Sequence, residues 1–359
     1  MRLVTMQKLK ANKIKIGGLI MEHFNYSSIE NTYREEFIQL IKTEGKEAGQ
    51  WVVTEKIHGG QLALYYDGSE FKASTRTAFL TPGMDFFNYE KVVAANADKV
   101  KEIYRILASE RGDISLVIVY GELFGGDYPH PDVPKVKNAK RLQKGVFYHP
   151  DNLFYAFDIR VNGRFLTVDE ANRLFEAAGM FYAKPILRGT FEECLNHPNK
   201  FPSKISEWLG LPPLQDNIAE GIVIKPVNPE FLQIGERVIL KSKNEKFEER
   251  KSIKKRPKKQ GAEITGSGEQ LLEELLSLVT ENRLQNVLSK QGEMPYPLPE
   301  DYFGRVMKAL NDDIWEEFNK DSQEEYETLE KGEQKRLAKM LNQQAAKLVR
   351  TVLFSAPQL

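Results

Sequence analysis

Hydrophobic and polar positions alternate in short runs along most of residues 51–243, a pattern typical of β-strands with one buried face. Runs of this kind flank Asp67-Gly68 and Asn162-Gly163, so both dipeptides predict hairpin turns. Residues 85–110 instead have apolar positions at helical spacing and predict one long helix. The pattern therefore predicts an α+β front part built mainly on antiparallel strands.

The pattern changes after residue 250. The next stretch is dense in charge and ends in Gly, Ser and Thr, which is typical of a linker. Leucines then recur on one helical face, and helical spacing continues to Leu353. We expect an N-terminal extension (1–20), a front domain (21–250), a basic linker (251–267) and a smaller all-helical C-terminal domain (268–359).

Composition narrows the class of protein. The chain has 359 residues, with 51 basic and 51 acidic side chains, and zero net charge still allows a basic face for nucleic acid. The single cysteine, Cys194, excludes an internal disulfide framework and a cysteine-based zinc finger, and it favours a reducing compartment. No apolar run approaches the ~18 residues of a membrane span. We expect a monomer in the cytoplasm, or in a host's cytoplasm if the protein is viral.

Residues 1–20 are basic, and no acidic residue precedes Glu22. Three interpretations stay open: a disordered leader, a basic arm that contacts nucleic acid, and an organelle-targeting segment.

Five polar islands interrupt the apolar strands of the front domain. They are EKIHG with Lys56, VYGELFGG with Glu122, FYAFDI with Phe157, AEGIVIKP with Glu220 and Lys225, and VILKSK with Lys241 and Lys243. Residues two apart on a strand share a face, so Lys241 and Lys243 repel each other unless an anion such as phosphate lies between them. Lys56 is a candidate nucleophile, because neighbouring cations favour the free amine of a lysine.

The other islands supply groups that suit a nucleotide. The carboxylates of Glu122 and Glu220 are candidates to hold Mg²⁺ or to bond a ribose, and Phe157 is a candidate to stack on a base. With the lysines, they predict nucleotidyl transfer through a lysyl intermediate. Each residue also has an ordinary structural alternative: a strand-end lysine that extends to solvent (Lys56), a core aromatic (Phe157), a turn cap (Asp158), and ion pairs of the glutamates with Arg76 or Arg237.

The order of the islands resembles that of the covalent ligase and capping-enzyme superfamily: K-x-D/H-G, a glutamate motif, an aromatic-Asp motif, E-G-x-V-x-K and K-x-K. His58 stands where DNA ligases and capping enzymes usually have Asp, and helices rather than an OB-fold follow the last motif. Both features resemble the RNA ligase 2 family of phage and kinetoplastid editing enzymes. The stretches 24–33, 74–90 and 281–293 are also similar to the phage enzyme. Because this similarity starts after Met21, residues 1–20 have a fourth interpretation, an upstream in-frame extension.

The resemblance implies an antiparallel nucleotidyltransferase domain of the ATP-grasp-like ligase type. It implies a ligase that uses ATP with Mg²⁺ or Mn²⁺ and joins the 3′-OH and 5′-phosphate ends of duplex or bridged RNA. The roles it implies are adenylation (Lys56), adenine framing (Glu55, Ile57), stacking (Phe157), ribose binding (Arg76, Glu122), metal binding (Glu220, Glu122), the lysine–AMP step (Glu220), α-phosphate binding (Lys241, Lys243, with Lys225 nearby) and nick joining (His58).

Two positions depart from the family pattern. Thr54 stands where phage members often have a basic residue, and Gln61, near the nucleotide or the RNA end, stands where they often have Asn. Three alternatives stay open: a DNA ligase, a GTP-using guanylyltransferase, and a nucleic-acid-binding protein with a vestigial nucleotide site.

Overall fold

The computed structural model describes residues 21–84, 86–142, 144–250, 267–292, 294–295 and 297–354. The chain divides into two compact units, Met1–Asn244 and Glu245–Leu359, here called the front unit and the helical unit. The predicted N-terminal extension, and the predicted linker except for its last residue, lie outside the described residues. The predicted domain boundaries stay predictions.

The front unit combines strands with shorter helical segments. Its strands are β1 (Glu30–Asn31), β2 (Trp51–Lys56), β3 (Gly60–Tyr66), β4 (Phe71–Ser74), β5 (Val117–Asp127), β6 (His149–Val161), β7 (Arg164–Phe165), β8 (Pro185–Gly189), β9 (Gly221–Pro226) and β10 (Leu240–Lys243). Its helices are α1 (Glu35–Thr43), α2 (Tyr89–Arg111), α3 (Val168–Ala177), α4 (Phe191–Leu195) and α5 (Ile205–Trp208).

The strands form two sheets. Sheet A has the order β1-β10-β9-β2-β8, and sheet B has the order β4-β3-β5-β6-β7. Apart from the parallel β1–β10 pair, the strand pairs of both sheets are antiparallel. The two predicted hairpins are present as β3–β4 and β6–β7. The α+β prediction with a mainly antiparallel front is therefore confirmed.

Helix α2 begins at Tyr89, a few residues after the predicted start. Phe87 and Asn88 have φ values of 44° and 57°, in the left-handed region that ends regular helix geometry. The Asn88 side chain compensates, because its amide donates to the carbonyl oxygen of Asn138 (2.6 Å) and to Oδ1 of Asn152 (2.9 Å). The sequence pattern shows apolar spacing but not this backbone conformation.

Alternation along the strands gives each sheet two faces. The outer face of sheet A packs with α1 and α4 around Trp51 and Ile222, and the outer face of sheet B packs with α2 and α3 around Leu64. Between the inner faces lies a third apolar cluster, which includes Tyr65, Tyr120 and the partly buried Phe157 and Val223. Polar side chains that project from the inner faces therefore lie next to this cluster.

The helical unit contains α6 (Ser267–Ser277), α7 (Glu281–Lys290), α8 (Tyr302–Glu327) and α9 (Lys331–Phe354). Its buried residues include Leu275, Leu284, Leu310 and Leu341. The helical C-terminal region is thus confirmed. In the part of the chain that is described, no helix has the length and apolar character needed to cross a membrane.

Candidate active site

Strand register brings Lys56 and Lys243 together. Lys56 on β2 pairs with Gly221 on β9, and Lys243 on β10 pairs with Gly221 from its other side. A Cβ at residue 221 would lie 2.0 Å from the carbonyl oxygen of Ser242, so only glycine lets β10 approach this closely. The two lysines therefore flank one glycine, directly beside Glu220.

Glu220 is the shared counter-ion of these lysines. Its side chain is fully buried; Oε2 accepts a hydrogen bond from Lys56 Nζ at 2.8 Å. Lys243 Nζ lies 2.9 Å from Oε1, an ion pair without the geometry of a hydrogen bond. Burial by itself raises the pKa of Glu220, but the charges of Lys243 and Lys56 outweigh it and lower that pKa to about 2. The carboxylate is therefore ionised at neutral pH.

Lys241 lies on the same face one step along the sheet. It pairs with Val223 on β9, which pairs in turn with Thr54 on β2. Thr54 is buried and adds no charge to this row, although phage members often have a basic residue at this position. Residues two apart share a face, so Lys56, Lys241 and Lys243 form a cationic strip on the inner face of sheet A.

Sheet B supplies Gln61 and Glu122. These residues are directly opposite each other on β3 and β5, so their side chains share the inner face. Burial raises the pKa of Glu122 to about 7; Lys56 opposes this effect and Glu220 adds to it. A hydrogen bond from the Gly59 N–H holds the carboxylate. A Cβ at Gly59 would lie 2.2 Å from the Leu123 carbonyl oxygen, so this glycine permits close approach to β5.

His58 lies in the connection between β2 and β3. Its ring Nδ1 is 3.7 Å from Glu220 Oε2, and its backbone N–H donates a hydrogen bond to the Tyr148 hydroxyl at 3.0 Å. The neighbouring Ile57 is buried. Tyr148 was not among the predicted residues, because it belongs to no polar island and only the folded loop brings it to His58.

Phe157 lies at a β-bulge. Tyr120 pairs with Asp158 while Gly121 pairs with Ala156, so Phe157 has no partner on β5. Bulges redirect a side chain and are common beside active sites. Lys225 Nζ donates to the Phe157 carbonyl oxygen at 2.9 Å, which fixes the backbone of the bulge.

Lys225 also belongs to a buried ionic network. Its Nζ is 2.8 Å from Asp158 Oδ1, and Arg237 Nη1 is 2.9 Å from Asp158 Oδ2. Burial opposes ionisation of Asp158, but Arg237 and Lys225 lower its pKa to about 2. Tyr26 also donates to this carboxylate. Asp158 therefore is an internal counter-ion within β6 rather than a turn cap, and Arg237 pairs with it rather than with a glutamate.

Two predicted nucleotide residues lie elsewhere. Glu55 precedes Lys56 and so faces the opposite side of sheet A, where it accepts from Ser203 Oγ (2.6 Å) and the Lys204 N–H (2.7 Å). Burial raises its pKa to about 7 despite these bonds. Arg76 is exposed, with Nη2 3.4 Å from Ser28 Oγ. Any contact between Glu55 and an adenine would therefore use its backbone.

No group of three or more His, Cys, Asp and Glu side chains suited to a metal ion occurs among the described residues. Glu122 and Glu220 nevertheless interact electrostatically, although burial is the main cause of the raised pKa of Glu122. Such a pair suits a cation that completes its shell with water and substrate phosphates, as Mg²⁺ does, rather than a cage of protein ligands.

Comparison with known proteins identifies the family. Residues 49–243 match the family model described as RNA ligase, and this span is more than half of the chain. The chain belongs to the RNA ligase family. Residues 262–347 match the model described as T4 RNA ligase 2 C-terminal, so this RNA ligase is of the RNA ligase 2 type, as its motifs predicted.

Curated relatives agree with this assignment. The chain is 28% identical over 355 residues to RNA-editing ligase 2, mitochondrial, of Trypanosoma brucei brucei, with 85% of each chain covered. It is 28% identical over 319 residues to RNA-editing ligase 1, mitochondrial, of the same organism, with 73% of this chain and 68% of the relative covered.

Among solved structures, a mutant of the Naegleria gruberi RNA ligase with ATP and Mn has a TM-score of 0.42 and 16% identity. The match covers 62% of this RNA ligase and 57% of that chain, so it spans little more than half of the Naegleria protein.

Proposed function

We propose that this RNA ligase is ATP-dependent and seals nicks with 3′-OH and 5′-phosphate ends in duplex or bridged RNA through a lysyl-AMP intermediate on Lys56. The observation that carries the proposal is the row Lys56–Gly221–Lys243 across three strands. In this row the amines of Lys56 and Lys243 lie 2.8 and 2.9 Å from the buried carboxylate of Glu220. The names of the relatives support RNA as the substrate.

In the first step, the free amine of Lys56 attacks the α-phosphorus of ATP, a P–N bond forms, and pyrophosphate leaves. Lys56 Nζ donates a hydrogen bond to Glu220 Oε2 at 2.8 Å in the free enzyme, and before attack Nζ gives up a proton to water. Lys243 and Lys241 lie on the same face and offset the charge that develops on the phosphoryl oxygens.

In the second step, the RNA 5′-phosphate attacks the adenylate and the bond to Lys56 breaks. In the third step, the 3′-OH attacks the activated 5′-phosphate, the strands join and AMP leaves. His58 lies 3.7 Å from Glu220, next to the lysine, where it can act on the RNA end in this step.

The remaining roles follow from placement. Phe157, redirected by its bulge, stacks on the adenine, and Lys225 positions it through the Phe157 carbonyl oxygen. Ile57 lines the adenine site, while Gln61 and Glu122 face the ribose together, with Arg76 contributing from its loop. Glu122 and Glu220 would hold Mg²⁺ or Mn²⁺, which when bound neutralises charge on the phosphates.

The test compares sealing of a nicked RNA duplex, an RNA–DNA hybrid, a nicked DNA duplex and single strands, with ATP or GTP as the nucleotide. We expect ATP-dependent joining that is fastest with nicked RNA. Preferred joining of nicked DNA would indicate a DNA ligase, labelling with GTP alone would indicate a guanylyltransferase, and no covalent labelling at all would indicate a vestigial nucleotide site. Cytoplasmic location and the monomeric state stay predictions.

A further inference from the structure

The connection between β5 and β6, residues 128–148, is unusually long, and its described residues form neither helix nor strand. Connections beyond about 12–15 residues usually have a function of their own. This loop has five basic side chains and one acidic one, Asp132. The basic residues are Lys135, Lys137, Lys140, Arg141 and Lys144.

The loop lies beside the candidate active site. At the end of the loop, the hydroxyl of the buried Tyr148 accepts a hydrogen bond from the backbone N–H of His58 at 3.0 Å. A Cβ at Gly60 would lie 3.5 Å from Leu142 Cδ2, so Leu142 packs against the turn that follows His58. Lys144 is two residues from Leu142. The end of the loop that bears Lys144 is therefore next to His58, the residue that the proposed mechanism assigns to the RNA end.

Hydrogen bonds from two asparagine side chains fix the backbone of the loop at Lys140 and at Phe147. The Asn152 amide donates to the Lys140 carbonyl oxygen at 2.7 Å, and its Oδ1 accepts the Lys140 N–H at 2.9 Å. Asn217 makes the same pair of bonds with the backbone of Phe147, at 2.7 and 2.8 Å. A loop fixed in this way loses little conformational entropy when it binds a partner.

Most of the loop's basic side chains are exposed to solvent. Arg141 lies 3.4 Å from Asp127, but Lys135, Lys137 and Lys144 are exposed and have no acidic partner within the described ranges. Exposed lysines in a loop that borders the candidate active site are complementary to a polyanion. We propose that this loop is a phosphate-backbone contact surface for the RNA duplex next to the nick, with Lys135, Lys137 and Lys144 as the contacts. This inference rests on the proposed function for its choice of RNA.

The test removes the three charges in the triple variant Lys135→Gln, Lys137→Gln and Lys144→Gln. A matched variant, Lys42→Gln, Lys99→Gln and Lys101→Gln, removes three charges from α1 and α2 on the outer layers. Binding of a nicked RNA duplex is measured without ATP by fluorescence anisotropy at several salt concentrations. Lysyl-AMP formation is measured separately with labelled ATP and no RNA.

Each lost phosphate contact lowers the slope of log affinity against log salt by ~0.9, so three lower it by ~2.7. Between 50 and 200 mM salt, wild-type affinity should therefore fall ~40-fold more than that of the loop variant. Lysyl-AMP formation should be unchanged, and the control variant should bind RNA as the wild type does.

The proposal is wrong if the loop variant binds RNA with the affinity and salt slope of the wild type. It is also wrong if the control variant loses as much RNA affinity as the loop variant. Absence of lysyl-AMP in the wild type would instead contradict the proposed function, and the binding data would still decide the role of the loop.

Discussion

Replacement of Glu220 by glutamine should destabilise the front unit, because Lys56 and Lys243 would then face each other without a common anion. In the wild type, these two lysines lower the pKa of Glu220 from 4.5 to about 2 although the side chain is fully buried. One unit of pKa corresponds to about 1.36 kcal/mol, so the shift is equivalent to about 3 kcal/mol of folding stability.

This contribution has a defined pH dependence. Because the folded-state pKa lies below its ordinary value, the ionised carboxylate stabilises the fold above about pH 4.5. The stabilisation is lost as the pH falls through 2. The difference between wild type and Glu220→Gln should thus shrink as the pH falls below about 4.5.

Urea unfolding followed by tryptophan fluorescence measures the difference, in a Trp315→Phe background. The two tryptophans that remain, Trp51 and Trp208, both lie in the front unit, so the signal reports that unit alone. Equal stability of the two proteins at pH 7, or a difference at pH 3 as large as that at pH 7, would contradict this prediction.

Glu55→Gln is the matched control, because Glu55 is equally buried but its pKa is raised from 4.5 to about 7. Ionisation of Glu55 should cost the wild type about 3 kcal/mol as the pH rises from 4.5 to 7. Glu55→Gln should therefore gain stability relative to the wild type as the pH rises through this range, whereas Glu220→Gln should lose stability relative to the wild type as the pH rises from 2 to 4.5. Parallel pH dependences would contradict the assignment of the two shifts.

Two further predictions concern backbone and charge. In Gly221→Ala, the new Cβ would lie 2.0 Å from the Ser242 carbonyl oxygen, so the backbone has to move by about 1 Å. This shift should slow lysyl-AMP formation by about 10²-fold. An unchanged rate would show that the strands move without displacing Lys56 or Lys243. Asp158→Asn should lower the free energy of unfolding by about 3–5 kcal/mol, because Lys225 and Arg237 lose their buried counter-ion. Adding Lys225→Met should restore part of this loss in urea denaturation, and additive losses would contradict the pairing.

Much of the fold could be predicted from the sequence because strand alternation and turn dipeptides are local signals. The hairpin around Asp67-Gly68 and the shared face of Lys241 and Lys243 both follow from a period of two residues. The change to helices in the last third is likewise visible in leucine spacing.

The contacts that decide the chemistry are not local. Glu220 is predicted to serve a metal or the lysine–AMP step, and the structure shows it as the counter-ion of two lysines on β2 and β10, the strands on either side of β9. Only the register of β2, β9 and β10 reveals this, and sequence periodicity leaves register undefined. Similarly, Lys225 and Asp158 are 67 residues apart, and no spacing rule connects them.

The most direct test of the account locates the covalent adduct. The enzyme is incubated with ATP and a divalent cation, and the adenylated peptide is mapped by mass spectrometry in the wild type, Lys56→Ala and Lys56→Arg, the last of which keeps the positive charge beside Glu220. We expect one adenylate on Lys56 in the wild type and none in either variant. An adduct on another residue, or one that persists in Lys56→Arg, would contradict it.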